Sequence, residues 1–170
     1  MALITSPTEM IPDLNYEYHT VTIDSIGQDS ANTFMCYLPQ PLKNVVQAKL
    51  VAAHIHSNTL TEHFYVSIEE LDTIFNDRAS NVLTSEQSHI SKVRGSFASL
   101  VTEATSHVGA DYVHVFKDDY PVMSQYIDPI RRIDRFTVKI LNHNGDTIQN
   151  STGGGDNFLV LRFVCRKPNM

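Results

Sequence analysis

Between Asn44 and Leu71 the chain reads NVVQAKLVAAHIHSNTLTEHFYVSIEEL, and its polarity pattern is that of extended strands. Val45, Gln47, Lys49, Val51, Ala53 and Ile55 share one face of a strand. Val46, Ala48, Leu50, Ala52, His54 and His56 share the other. Ser57 to Thr61 is polar and turn-like. From His63 to Ile68, Phe64, Val66 and Ile68 alternate with His63, Tyr65 and Ser67. The expectation is a hairpin of two strands. Pro39 and Pro41 stand just before it and exclude a helix there.

The same period recurs elsewhere. Glu17 to Ile26 and Thr33 to Leu38 read as strands separated by a turn. Ser96 to Ala104 and Tyr112 to Phe116 read as strands, the latter with Val113 and Val115 on one side. Val122 to Tyr126 reads as a short edge strand, and Ile130 to Leu141 as the clearest late one. Asn144-Gly145 marks a tight turn. Asn157 to Cys165 is so apolar that a central strand, or one covered on both faces, is expected. No long helix is predicted.

About eight strands at this spacing point to an all-β protein, an antiparallel β-sandwich for which the single jelly roll is one of the few common eight-stranded solutions. The expected core is Val46, Leu50, Ala52, Phe64, Val66, Ile68, Phe136, Val138, Ile140, Leu159, Leu161 and Phe163. Its first three members assume one inward face for a strand that carries apolar residues on both. Residues 1–16 read as an N-terminal arm before a single domain over 17–170. That arm and the polar stretch from Asp72 to Val93, a surface loop or a helical turn, are expected to be contact elements.

Composition narrows the classes. A net charge of -6 over 170 residues argues against direct, sequence-independent nucleic-acid binding. No apolar run approaches a membrane span, and the first residues lack the pattern of a secretory signal. Two cysteines, Cys36 and Cys165, imply no disulfide framework; they read as buried thiols, with one bridge as the alternative.

Candidate chemistry centres on histidine. His54 and His56 project from one strand face, and a short hairpin would set His63 opposite His56, with Glu62 nearby. Such a cluster suits a metal site of the cupin kind. That pattern, however, needs a Gly before the first His, an earlier Glu and a later Pro-x-Gly, none of which is present. The favoured reading is histidines on a polar face or a subunit contact, with no metal, cofactor or catalytic residue. Gly153-Gly154-Gly155 lacks the Lys-Ser/Thr of a phosphate loop and reads as a flexible loop. Ser96 lacks a nucleophile-elbow pattern. Glu69, Glu70 and Asp72 read as a solvated strand end. Arg131, Arg132 and Arg135, beside Asp128 and Asp134, read as a solvated patch or a docking contact.

Two runs carry a family resemblance. YLPQPLKNVVQAKLVAAHIHSNTLTEHFYVSIEEL resembles capsid proteins of large eukaryotic double-stranded DNA viruses and their relatives, in which an L-x-N-V strand start leads to N/H-x-F-Y-V-x-I-x-E-L. DPIRRIDRFTVKILNHNGDTI followed by DNFLVLRFV is similar to their R-I-D strand, D/N-H-x-G turn and closing apolar strand. The matches span roughly residues 37–71 and 128–165. The resemblance implies a jelly-roll fold and a structural, non-enzymatic role in the virion. The chain is too short for the double jelly roll of a major capsid protein. A penton, a homopentamer at the five-fold vertices, is therefore expected, with the major capsid protein and other capsid proteins as partners. A minor capsid protein is the alternative within that class, and the metal enzyme on His54 and His56 is the alternative outside it.

Overall fold

The computed structural model describes residues 15–61, 63–72, 77–79, 81–82, 88–89, 93–117, 122–150 and 154–168. All its regular elements are strands: β1 (Tyr16–Asp24), β2 (Thr33–Ser57), β3 (His63–Ile68), β4 (Asn81–Val82), β5 (Ser88–His89), β6 (Ala98–Val101), β7 (Ala104–Val108), β8 (Asp111–Phe116), β9 (Val122–Leu141) and β10 (Phe158–Arg166). Residues 1–14 of the expected arm and most of the Asp72–Val93 stretch lie outside the described residues. Within that stretch β4 and β5 pair as a small separate sheet.

Eight strands form one antiparallel sheet that curls around the core. Two long strands make the curl. The second half of β2 pairs with β10 on one edge and with β8 and the start of β9 on the other, and β10 in turn pairs with β1. The first half of β2 pairs with the rest of β9, which continues to β3 and then β6. One layer is therefore β1, β10, β2, β8 and, paired with β8, β7, and the other is β2, β9, β3 and β6. The connections β1–β2, β2–β3, β6–β7 and β9–β10 pass between layers, the interleaving of a jelly roll, while β7 and β8 form a hairpin within one layer.

The predicted hairpin does not form. β2 and β3 are consecutive but have no pairing with each other: β9 lies between them in the sheet. The segment after Ser57 crosses between layers. Likewise, the strands expected at Val122 to Tyr126 and Ile130 to Leu141 are one strand, β9, and it is not at an edge. Leu38 to Pro41 bulges between the pairs Tyr37–Arg135 and Leu42–Ile133. Prolines lack the N–H of a regular ladder, so the bulge is where a strand tolerates them.

The core fills the space between layers. Phe136 on β9 and Phe163 on β10 are fully buried and stack with centroids 5.5 Å apart and planes 12° from parallel. Phe64 on β3 meets Phe116 on β8 edge-to-face at 6.0 Å. These contacts join strands of opposite layers. Of the expected core, Leu50 and the nine residues on β3, β9 and β10 are buried.

Val46 and Ala52 are only half-buried, which corrects that part of the expected core; Val45, Ala48, Leu50, Ala53 and Ile55 face inward instead. The β2–β10 register slips twice. Gln47 pairs with Val164 but Val45 with Cys165, and Ala52 pairs with Val160 but Leu50 with Leu161. Each slip adds one residue to β2, Val46 and Val51, and each reverses which parity points inward. β10 is central as expected, but covered on one face only: Leu159, Leu161, Phe163 and Cys165 are buried, while Arg162 is exposed.

Candidate functional site

Most of the polar residues that the fold buries, Ser25, Asn32, His56, Ser57, Asp111 and Asn157, gather at one end, where β1 and β2 finish, β8 begins and the chain enters β10. Asn157 organises this end. Its backbone N–H donates to Ser25 Oγ at 3.0 Å and its carbonyl accepts from Ser25 N at 3.1 Å. Its side-chain Nδ2 donates to the Ala31 carbonyl and to Asn32 Oδ1, and its Oδ1 accepts from the His56 backbone N–H at 2.7 Å. Asn32 Nδ2 reaches Asn150 Oδ1, whose own Nδ2 donates to the Gly155 carbonyl. Asp156 Oδ1 accepts from Ser25 Oγ. One buried side chain thus ties two loops to β2.

His54 and His56 do share a face, with ring centroids 5.2 Å apart, edge to face. Ile55 between them points into the core. His56 is buried, and its Nδ1 stands 4.0 Å from Asp111 Oδ2 on β8. Gly155 closes over the same ring: a Cβ added there would lie 2.6 Å from His56 Nδ1. Gly155 is therefore a packing residue of the His56 site, which corrects the flexible-loop reading of this glycine. Burial pushes the His56 imidazole below the usual histidine range, and His54 adds to this, while Asp111 and Asp156 oppose it.

His114 faces the other way from the same strand as Asp111. It pairs across with Ile55 and is fully buried in the core, 4.7 Å from the Phe64 ring. Its Nδ1 lies 3.3 Å from Thr105 Oγ1 and 3.4 Å from Thr102 Oγ1. Its Nε2 is buried and has no hydrogen-bond partner among the described residues. Burial, and secondarily His56, brings its pKa down to about 4.

His63 does not join this group. It sits on β3 in the other layer, its Nε2 2.7 Å from Ser99 Oγ and its ring against Tyr65. Glu62 lies outside the described residues. Among the described residues no three His, Cys, Asp or Glu side chains are arranged to hold a metal ion.

The other candidates have structural work. Glu70 accepts from Thr137 N at 2.7 Å and from Thr137 Oγ1 at 2.9 Å, and Asp72 accepts from Ile68 N at 2.7 Å. Glu70 thus ties the end of β3 to β9, and Asp72 folds the chain after β3 back onto that strand, which corrects the solvated-end reading for both. Arg132 pairs with Asp134 at 2.6 Å and Arg135 with Glu70 at 3.7 Å. The arginines of these pairs are exposed, so each pair is worth no more than about 1 kcal/mol. Cys36 and Cys165 are free thiols, both pushed upward by burial, and Cys36 Sγ donates to the Asp24 carbonyl. Ser96 is buried.

Asp111, His114, Asn157 and Asn32 were not singled out in the sequence. His114 left a trace, because it occupies the strand face opposite Val113 and Val115. The asparagines left none, since their partners are more than 100 positions away.

Replacing Asn157 with Ala should destabilise the protein by about 3 kcal/mol, since the His56 N–H, the Ala31 carbonyl and Asn32 Oδ1 all lose their buried partner. Urea unfolding measures this, and a loss below about 1 kcal/mol would mean that water replaces the amide.

The chain matches no protein-family model and no curated protein. No helix among the described residues is long and apolar enough to cross a membrane.

Proposed function

We propose that this chain is a capsid subunit of a double-stranded DNA virus, most specifically the penton that closes five-fold vertices as a homopentamer. The observation that carries the reading is the interleaved two-layer jelly roll, in which the two family-like runs supply β3 and most of β2, β9 and β10. A ring of identical subunits needs a heterologous contact, in which one patch meets a different patch on the next copy. A rigid sandwich fixes that geometry, and its surface supplies apolar residues outside the core. Ile127 is 99% exposed, and Tyr18 borders the same open groove of about 440 Å³. Tyr37 stands 72% exposed on the outer surface of the other layer.

The competing metal enzyme is less well supported. His54 and His56 share a face, but His63 is bonded to Ser99 in the other layer.

Two experiments test the proposal. In solution, mass measurement and negative-stain images should show a ring of five protomers, and Ile127→Asp should shift it towards monomer without altering the β-type circular dichroism. Labelling of this chain in purified particles should then mark the vertices. Density along the facets would favour a minor capsid protein, and absence from the particle would overturn both readings.

A further inference from the structure

Three independent pieces of chain meet at the His56 imidazole: β2, which carries it; β8, which brings Asp111; and the turn before β10, which lays Gly155 against the ring. The same turn is held by Asn157, whose Oδ1 accepts the His56 backbone N–H. The contact with Gly155 leaves no room for a side chain at position 155. It also leaves little for the water that an imidazolium needs.

We propose that His56 is the pH-sensitive element of a clasp: while neutral it lets residues 154–157 close over the end of β2, and when protonated in mild acid it releases them. The proposal does not depend on the capsid reading.

The charged and titratable groups facing His56 are His54 on β2, Asp111 on β8 and Asp156 in the turn, while His114 lies on the opposite, inward face of β8. The two carboxylates favour the imidazolium. Burial and His54 disfavour it, and burial is the larger of the two. Closure therefore prefers the neutral ring. In the open state the ring is hydrated and regains the ordinary histidine pKa of about 6.5, so protons bind the open state more tightly and acid opens the clasp. The Asn157 bonds to Ser25, Ala31 and Asn32 pass the change to the loop between β1 and β2.

Hydrogen exchange read at two amides tests this. The His56 N–H and the Asn157 N–H are both hydrogen-bonded within the clasp. Their protection factors, corrected for intrinsic exchange, should fall about tenfold or more between pH 7.5 and pH 5.0. Core amides of β9, which exchange by global unfolding and so follow His114, should keep most of their fall in His56→Gln. In His56→Gln, which cannot charge, the fall at the two clasp amides should vanish. Gly155→Ala, which forces the ring aside, should give low protection at both pH values. Should His56→Gln fail to fold, the wild-type histidine titration followed by NMR decides. A His56 pKa at or above about 6.5 would overturn the proposal, as would unchanged protection in the wild type or an equal fall in His56→Gln.

Discussion

Truncating Phe136 to Ala should cost about 3 to 5 kcal/mol, because the side chain is fully buried and its removal leaves a cavity that two hydrogen-bonded layers cannot collapse to fill. Phe136 and Phe163 belong to strands that do not pair, so their stacking is a contact of one layer with the other. A double-mutant cycle with Phe163→Leu should reveal a coupling of about 0.5 to 1.5 kcal/mol beyond the area buried. Urea midpoints give both quantities. A single-mutant loss under about 1 kcal/mol would place the ring outside the packed interior.

Acidification should produce the second large effect, through His114. Its folded-state pKa of about 4 lies below the ordinary value of 6.5. The unfolded chain therefore binds a proton that the folded one refuses. The resulting stabilisation is complete above pH 6.5, declines as the pH falls, and levels off near pH 4. The full shift corresponds to a loss on the order of 3 kcal/mol. His56, displaced in the same direction, adds to the slope. Asp72, whose carboxyl is raised by burial, opposes it at the acid end, since its protonated form is favoured in the folded protein. Unfolding free energies measured at intervals from pH 7.5 to 4 should be compared with those of His114→Leu. The variant should lose most of the slope between pH 6.5 and 4. An identical slope would show that other groups carry it.

Both effects come from residues whose type was readable and whose surroundings were only partly so. From Phe136 onward β9 alternates, and the inward set Phe136, Val138 and Ile140 follows from period two, whereas buried Ile133 lies on the opposite parity across the bulge. His114 occupies an alternating position in a similar strand, but nothing local says that Phe64 covers it and that Thr102 and Thr105 face its ring.

The amino-acid sequence by itself determined the all-β class, the positions of most strands, the inward faces of β3, β9 and β10, and the shared face of His54 and His56. Each of these rests on the alternation of side chains along an extended backbone, which is a local property. The tertiary structure alone decided that β2 and β3 do not pair, that bulges at Val46 and Val51 reverse the inward parity of β2, and that Asp111, Gly155 and Asn157 converge on His56. Both faces of β2 carry apolar residues, so either parity satisfied the local pattern. The choice fell to the long-range register with β10 and to the burial gained when two layers close on one core.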